Sequence, residues 1–279
     1  GDHRDLHVRS RRQRQMCIRD RMISVATIHN AEDFAGMRKA GQLAAETLDM
    51  IAEYVKPGVT TESLDKRCFE FADKNNACIA PLFYKGFPKS VCTSINHVIC
   101  HGIPSSRVLE EGDIVNIDVT VIVDGWHGDT SRMYKVGKIN NKAQKLIDCT
   151  YEAMMLGINE IAPNKKTGDI GNAIQTYSEA QSYSVVQDFC GHGLGRVFHS
   201  FPNILHYGVP NTGEDLIQGM FFTVEPMINT GKYDVRLLKD GWTAVTKDKS
   251  LSAQFEHTCG VTDSGFEIFT KSPAGLDKP

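Results

Sequence analysis

The stretch Ile114-Val-Asn-Ile-Asp118-Val-Thr-Val-Ile-Val-Asp124-Gly125-Trp126-His-Gly-Asp129-Thr130 reads as a β-hairpin, and the fold class and the candidate site both follow from it. Val115, Ile117, Val119, Val121 and Val123 recur at period two, the pattern of a strand with one face on a core. Asp124-Gly125 is a favoured pair for a two-residue hairpin turn, whose central positions need positive φ. If Val123 pairs with Trp126, Asp129 falls opposite Thr120 and Asp118 opposite Ser131. The two aspartates are then diagonal neighbours on one face, about 7–8 Å apart at the backbone, and their carboxylates can converge on ions between them. Ile122, β-branched and apolar on that face, argues against full exposure, but the hairpin alone is equally compatible with two solvated aspartates.

Three further residues share the same oddity. His192 lies in Gly191-His-Gly-Leu-Gly195, Glu225 in Phe222-Thr-Val-Glu-Pro-Met227, and Glu256 in Ser252-Ala-Gln-Phe-Glu-His-Thr258. Glu is disfavoured in strand-like runs, and an ionised carboxylate buried without compensation costs several kcal/mol or shifts its pKa until it is neutral. Glycines beside His192 let backbone approach a small ligand, although the spacing is not that of a dinucleotide loop. One imidazole and four carboxylates make a hard, oxygen-rich ligand set, suited to Mn, Fe or Co and less to a structural zinc. Two such ions about 3.5–4 Å apart can share a hydroxide at neutral pH and polarise a carbonyl, which is metal-assisted hydrolysis. His101, in Cys100-His-Gly-Ile-Pro104, and His199, in Phe198-His-Ser-Phe-Pro202, precede Pro-containing turns and are candidates for donating to an oxyanion or a scissile nitrogen. His97, His206 and His257 read as structural or surface residues, and the face of His127 depends on the hairpin register.

The chain has 279 residues, 41% hydrophobic and 23% charged, as expected of a globular protein without a membrane span. Residues 1–21 hold seven Arg against three Asp, which leaves 24 basic and 31 acidic groups elsewhere. An acidic body argues against nucleic acid as a required partner. The basic head lacks the apolar core of a secretory signal, and it reads as an unstructured tail or non-native extension before Met22, with residues 22–279 forming one catalytic domain. Eight Cys without a C-x-x-C pair read as reduced cytoplasmic thiols.

Asn30 reads as the cap of a helix carrying Met37, Ala40, Ala44, Leu48 and Ile51, ended by Pro57-Gly58. Thr61 reads as the cap of a second. Strands are expected at 90–95, 114–123, 127–134, 185–189, 221–224, 242–246 and 253–261, and helices at 142–158 and 167–182. Helices precede strands twice, which suggests an α+β fold of two similar lobes around a central antiparallel sheet.

Taken together, Ser90-Val-Cys-Thr-Ser-Ile-Asn-His-Val-Ile-Cys-His-Gly-Ile-Pro104, Asp113-Ile-Val-Asn-Ile-Asp-Val-Thr120, His127-Gly-Asp-Thr-Ser131 and the segments around His192, Glu225 and Glu256 resemble the type I methionine aminopeptidases, metallopeptidases of the pita-bread fold. The resemblance runs from about residue 23 to 270. It implies two pseudo-symmetric lobes, two divalent ions (Co, Mn, Fe or Zn, with Fe or Mn favoured in the cell), and removal of the initiator methionine when the second residue is small. Asp118 would bind one metal, Asp129 and Glu256 would bridge, and His192 and Glu225 would bind the other, with Glu225 also assisting proton transfer. His101 would contact substrate and help the leaving nitrogen, and His199 would stabilise the tetrahedral intermediate. Tyr84, Phe87, Cys92, Phe198 and Trp242 would line the methionine pocket, and main-chain oxygens of Asn96, Val98 and Ser252 would hold a monovalent cation. The implied partners are nascent polypeptide N-termini at the ribosome, met by a cytoplasmic monomer with no need of nucleic acid or membrane. Pro81 and Phe87 depart from a pattern that commonly has Cys and Tyr there, which would reshape the pocket rim. Only 25 residues separate His199 from Glu225, too few for the type II insertion. Two other readings are an Xaa-Pro aminopeptidase or prolidase-like enzyme, whose chains usually carry a large extra N-terminal domain, and a non-catalytic pita-bread binding protein, for which the basic head is the sole support.

Overall fold

A computed structural model describes residues 25–278, so the reading of residues 1–21 as a tail lies outside the described residues. In the first half, helices α1 (Ala31–Ala52) and α2 (Thr61–Lys74) precede strands β1 (Cys78–Ile79), β2 (Cys92–Ile95), β3 (Val98–Cys100), β4 (Ile114–Val123) and β5 (Trp126–Lys135). In the second, α3 (Asn141–Asn159) and α4 (Thr167–Ala180) precede β6 (Ser184–Val185), β7 (Gly191–Gly193), β8 (Ser200–Ile204), β9 (Phe221–Val224), β10 (Met227–Asn229), β11 (Val235–Leu237), β12 (Ala244–Thr246), β13 (Ser252–Gln254), β14 (His257–Val261) and β15 (Phe266–Ile268). Helices therefore precede strands twice, as expected. The strands fall into four hydrogen-bonded groups: β1-β4-β2 with β5 on β4, β13-β10-β6, β11-β12-β3 and β15-β14-β9-β7-β8. The group containing β3 and β12 joins the two halves, since Cys100 pairs with Ala244.

The hairpin has the register its turn dictates. β4 and β5 pair antiparallel from Ile114 with Lys135 to Val123 with Trp126, which sets Asp129 opposite Thr120 and Asp118 opposite Ser131. Asp124 and Gly125 take φ of 51° and 81°, left-handed at both central positions. Val115, Ile117, Val119 and Val121 are fully buried and pack with Leu48, Ile51, Leu64 and Cys68 of α1 and α2. α1 lies close on β5 because Gly128 has no side chain: a Cβ there would stand 2.1 Å from Ala40 O. The second lobe has its own core, in which Leu146, Ile147, Ile170 and Ile174 of the helices meet Phe222, Val224, Ile228 and Phe255. Truncating a fully buried Leu such as Leu48 or Leu146 to Ala would cost about 2–5 kcal/mol.

Local details differ from the sequence reading in ways that have physical causes. Asn30 caps α1 as expected, its side chain accepting from Glu32 N and Asp33 N while Asn30 N donates to Asp33 Oδ2. That helix ends at Ala52, ahead of Pro57-Gly58, because Tyr54 N and Val55 N turn tightly onto the carbonyls of Ile51 and Ala52. Thr60, not Thr61, caps α2 by accepting from Ser63 N, and the Thr61 hydroxyl instead bonds the main chain of Ser105. No helix among the described residues is long and apolar enough to cross a membrane.

Candidate metal centre

The hairpin contributes two carboxylates and the second lobe brings the other three groups to them. Asp118 lies in β4 and Asp129 in β5, while His192 is the middle residue of β7, flanked by glycines. Glu225 directly follows β9, where Pro226 ends the run. Glu256 sits in the break between β13 and β14, a stretch the sequence reads as one strand. The break exists because the two pieces join different sheets: β13 pairs with β10, and β14 with β9. Val224 opposite His257 is the last β9–β14 pair, so Glu225 and Glu256 emerge together at the same end of that ladder.

Ligand atoms of Asp129, His192 and Glu256 all lie within 4.8 Å of one another. His192 Nε2 is 3.5 Å from Asp129 Oδ2 and 3.7 Å from Glu225 Oε1. Burial pushes the carboxyl of Asp118 up from 3.8 to about 7. Asp129 is raised well above its ordinary value by burial and then by Asp118, and Glu256 by burial and then by Asp129, Glu225 and Asp118. Glu225 is raised too, by burial first and then by Asp129 and Asp118, against a lowering bond from Thr223. The only lowering influences in this group are hydroxyl hydrogen bonds from Thr120 and Thr223. Burial likewise holds His192 neutral, at about 4. Four buried or half-buried carboxylates that oppose one another's ionisation, beside a neutral imidazole, fit divalent cations, which would supply the missing positive charge.

The carboxylates are aimed by polar neighbours, of which the hairpin register anticipates only Thr120. Thr120 Oγ1 donates to Asp129 Oδ1 at 2.7 Å. Thr223 Oγ1 donates to Glu225 Oε1 at 2.7 Å while accepting from His192 N at 3.0 Å, so one hydroxyl links two of the five residues. Glu225 N donates to His206 Nε2 at 3.1 Å. Thr223, two residues before Glu225, and Thr120, opposite Asp129 in the hairpin register, were legible signals, whereas His206 had none.

His101 adopts φ of 55°, uncommon for a non-glycine residue, and burial lowers its imidazole to about 4. Its ring meets Phe189 and Trp242 edge-on at 5.5 and 6.2 Å, and Trp242 in turn meets Phe87 at 5.2 Å. Across the site, His199 Nδ1 is 3.0 Å from the Tyr84 hydroxyl and its ring lies 4.2 Å from that of His192. Tyr84 also contacts Phe198 at 4.9 Å. His127 stacks on Phe198, and its Nδ1 lies 2.9 Å from Gly195 O. Cys92 stands opposite Asp118 in the β2–β4 pairing, and burial followed by the nearby Asp118 raises its thiol pKa. The ring contacts fall into two sets, Phe87–Trp242–His101–Phe189 and Tyr84–Phe198–His199–His192, which include the four aromatic residues expected in a methionine pocket. Phe189 belongs to the first set and was not anticipated.

Comparison with known proteins identifies the family. Residues 35–263 match metallopeptidase family M24. The methionine aminopeptidase of Rickettsia prowazekii is 64% identical over 253 residues, covering 90% of this chain and 98% of that protein. A crystal structure of methionine aminopeptidase from Rickettsia prowazekii superposes with a TM-score of 0.88, covering 88% of this chain and 100% of the other. One from Thermotoga maritima, 36% identical, superposes at 0.87 with 88% and 99% covered. The chain belongs to metallopeptidase family M24, with the pita-bread fold of the methionine aminopeptidases.

Proposed function

We propose that the chain is a metalloaminopeptidase that removes the N-terminal methionine from proteins and peptides whose second residue is small. The observation that carries this reading is the convergence of Asp129, His192 and Glu256 within 4.8 Å, joined by Glu225 at 3.7 Å from His192 and by Asp118 on the same hairpin face. Asp118 would hold one divalent ion, His192 and Glu225 the other, with Asp129 and Glu256 shared. Such ions, when bound, lower the pKa of coordinated water to about 7 and polarise the scissile carbonyl. Iron or manganese suits the oxygen-rich set best in the cell. A monovalent cation at the main-chain oxygens of Asn96, Val98 and Ser252 is part of the same reading.

The protein's own groups would then act as follows. Thr223 donates to Oε1 of Glu225 and Gln254 Nε2 reaches Oε2, so the carboxylate is held in place to take the proton of the attacking water and return it to the leaving nitrogen. With the Tyr84 hydroxyl donating to Nδ1 of His199, Nε2 carries the proton and can donate to the oxyanion of the tetrahedral intermediate. His101, neutral at physiological pH, contacts the substrate near the scissile nitrogen. Tyr84, Phe87, Cys92, Phe198 and Trp242 offer an apolar, polarisable lining that suits a thioether. Residues 22–279 would form the single catalytic domain. The substrates would be the N-termini of new polypeptides, met in the cytoplasm at the ribosome by a monomeric enzyme.

The test is cleavage of Met-Ala, Met-Lys and Ala-Pro peptides after loading with Mn, Fe or Co. Release of Met from Met-Ala alone is expected. Failure to cleave it with any of the three metals sinks the reading, and selective cleavage of Ala-Pro favours a prolidase-like enzyme instead.

A further inference from the structure

Glu225 lies where its strand stops. Val224 is the last residue of β9 to pair with β14, and Pro226 has no N–H to continue a ladder. On the other side, the β7–β8 pairing ends with Gly191 opposite Ile204. The Glu225 N–H therefore points past the end of regular pairing. Its acceptor is a side chain: Nε2 of His206, two residues beyond β8, at 3.1 Å. His206 is 1% exposed, so no bulk water stands ready to replace it. A buried amide without an acceptor is costly, and a shift of even part of an ångström at this residue would carry the carboxylate with it.

The carboxylate itself is held at its other end. Thr223 Oγ1 donates to Oε1, and Gln254 Nε2 lies 3.4 Å from Oε2. Main chain and side chain of one acid are thus fixed from different directions, by a loop after β8 and by β9 and β13. We infer that His206 is a positioning residue: it accepts the Glu225 main-chain N–H through an unprotonated Nε2, and in doing so sets where the Glu225 carboxylate meets its metal and the reacting proton. The inference rests on the reading of Glu225 as a metal ligand and proton carrier. The requirement is for an acceptor at this spot. An imidazole satisfies it in only one tautomer, with the proton on Nδ1.

The experiment compares His206→Leu, which fills the volume but accepts nothing, with His206→Gln, whose amide oxygen restores an acceptor. Each chelator-stripped protein is titrated with Mn²⁺ by calorimetry, kcat and KM are measured on a Met-Ala peptide, and thermal unfolding checks the fold. The expected result is that His206→Leu folds, binds the Glu225-side ion about 10–100-fold more weakly and loses kcat with KM little changed. His206→Gln recovers most of both. Wild-type Mn²⁺ binding and kcat in a folded His206→Leu protein, with only a lowered melting temperature, would overturn the inference. If His206→Leu fails to fold, ¹⁵N NMR of the imidazoles in the intact wild-type chain decides: an Nε2 that carries a proton rules out the acceptor role, and the Nδ1–H tautomer upholds it. The metal titration separates this inference from the proposed activity, because it reads Glu225 even if no peptide is cleaved.

Discussion

Ser131 and Glu256 form an isolated antiparallel pair, Glu256 N donating to Ser131 O at 3.1 Å and Ser131 N to Glu256 O at 3.4 Å. Two buried hydroxyls reinforce it from opposite sides: Thr130 Oγ1 donates to Glu256 O and Thr258 Oγ1 to Asp129 O, each at 2.6 Å. Asn116 Nδ2 adds a bond to Gln254 O at 2.8 Å. The two lobes are therefore stitched together by main chain at the very residues that would share both ions, and the spacing of Asp129 and Glu256 is set by these bonds.

Replacing Thr258 by Val removes one of them at nearly constant shape. The Asp129 carbonyl loses its hydroxyl donor in a buried setting, and the expected loss of stability is about 1–3 kcal/mol. Metal affinity should fall as well, because the two carboxylates are no longer held in one frame. Urea unfolding of the chelated and metal-loaded variant checks both points, and a midpoint equal to wild type in each form would contradict the role given to this hydroxyl.

Metal removal should reverse the pH dependence of stability. In the chelated protein Asp118 has its pKa raised from 3.8 to about 7, and Asp129, Glu225 and Glu256 are also raised well above their ordinary values, by burial first and then by their like-charged neighbours. The folded state then binds more protons than the unfolded state, so the stability these groups contribute is full below about pH 4 and is lost as pH rises through about 7. Bound cations favour the ionised carboxylates and should oppose that decline. Melting temperatures of the chelated and loaded protein, measured from pH 5 to pH 8, should diverge as pH rises. Parallel curves would show that the carboxylates do not govern stability as argued.

Asp118→Asn separates function from stability at the same position. It removes one of four mutually opposed carboxylates, so the chelated variant should be more stable than chelated wild type at pH 8, on the order of 1 kcal/mol. The loaded variant should hold fewer ions and turn over no substrate. Intact metal stoichiometry by elemental analysis would remove Asp118 from the ligand set.

How much of this could be read from the chain depends on the distance between the interacting residues. The hairpin was fully legible, because period-two Val and Ile, an Asp124-Gly125 turn and a fixed register are all local, and every expected pair from Val123–Trp126 to Asp118–Ser131 is present. The acids at 225 and 256 were conspicuous only as charges in apolar runs, and their convergence depends on a ladder whose strands are far apart in sequence. The break at Glu256 was invisible, since 253–261 is uniformly strand-like and only the choice between β10 and β9 as partner divides it. His206 was set aside as structural for a similar reason. A neutral buried imidazole leaves no pattern in a single sequence, and its partner is the main chain of another strand.

His101 tests the division between holding metal and handling substrate. Its left-handed φ of 55° means that Ala there would add backbone strain to the loss of the ring, so His101→Asn, which tolerates that conformation, is the cleaner change. Metal content should stay at the wild-type level, because the ring packs against Phe189 and Trp242 and His101 is not one of the five proposed ligands. The rate constant kcat should fall about 10²–10⁴-fold, the usual worth of a positioned acid–base group. Burial keeps the imidazole neutral above about pH 4, so no acidic limb near pH 6 should arise from this residue in wild type, and its replacement should leave the shape of the pH profile above pH 5 unchanged. A loss of bound metal in His101→Asn, or a pH limb near 6 that vanishes with it, would place His101 in a different role.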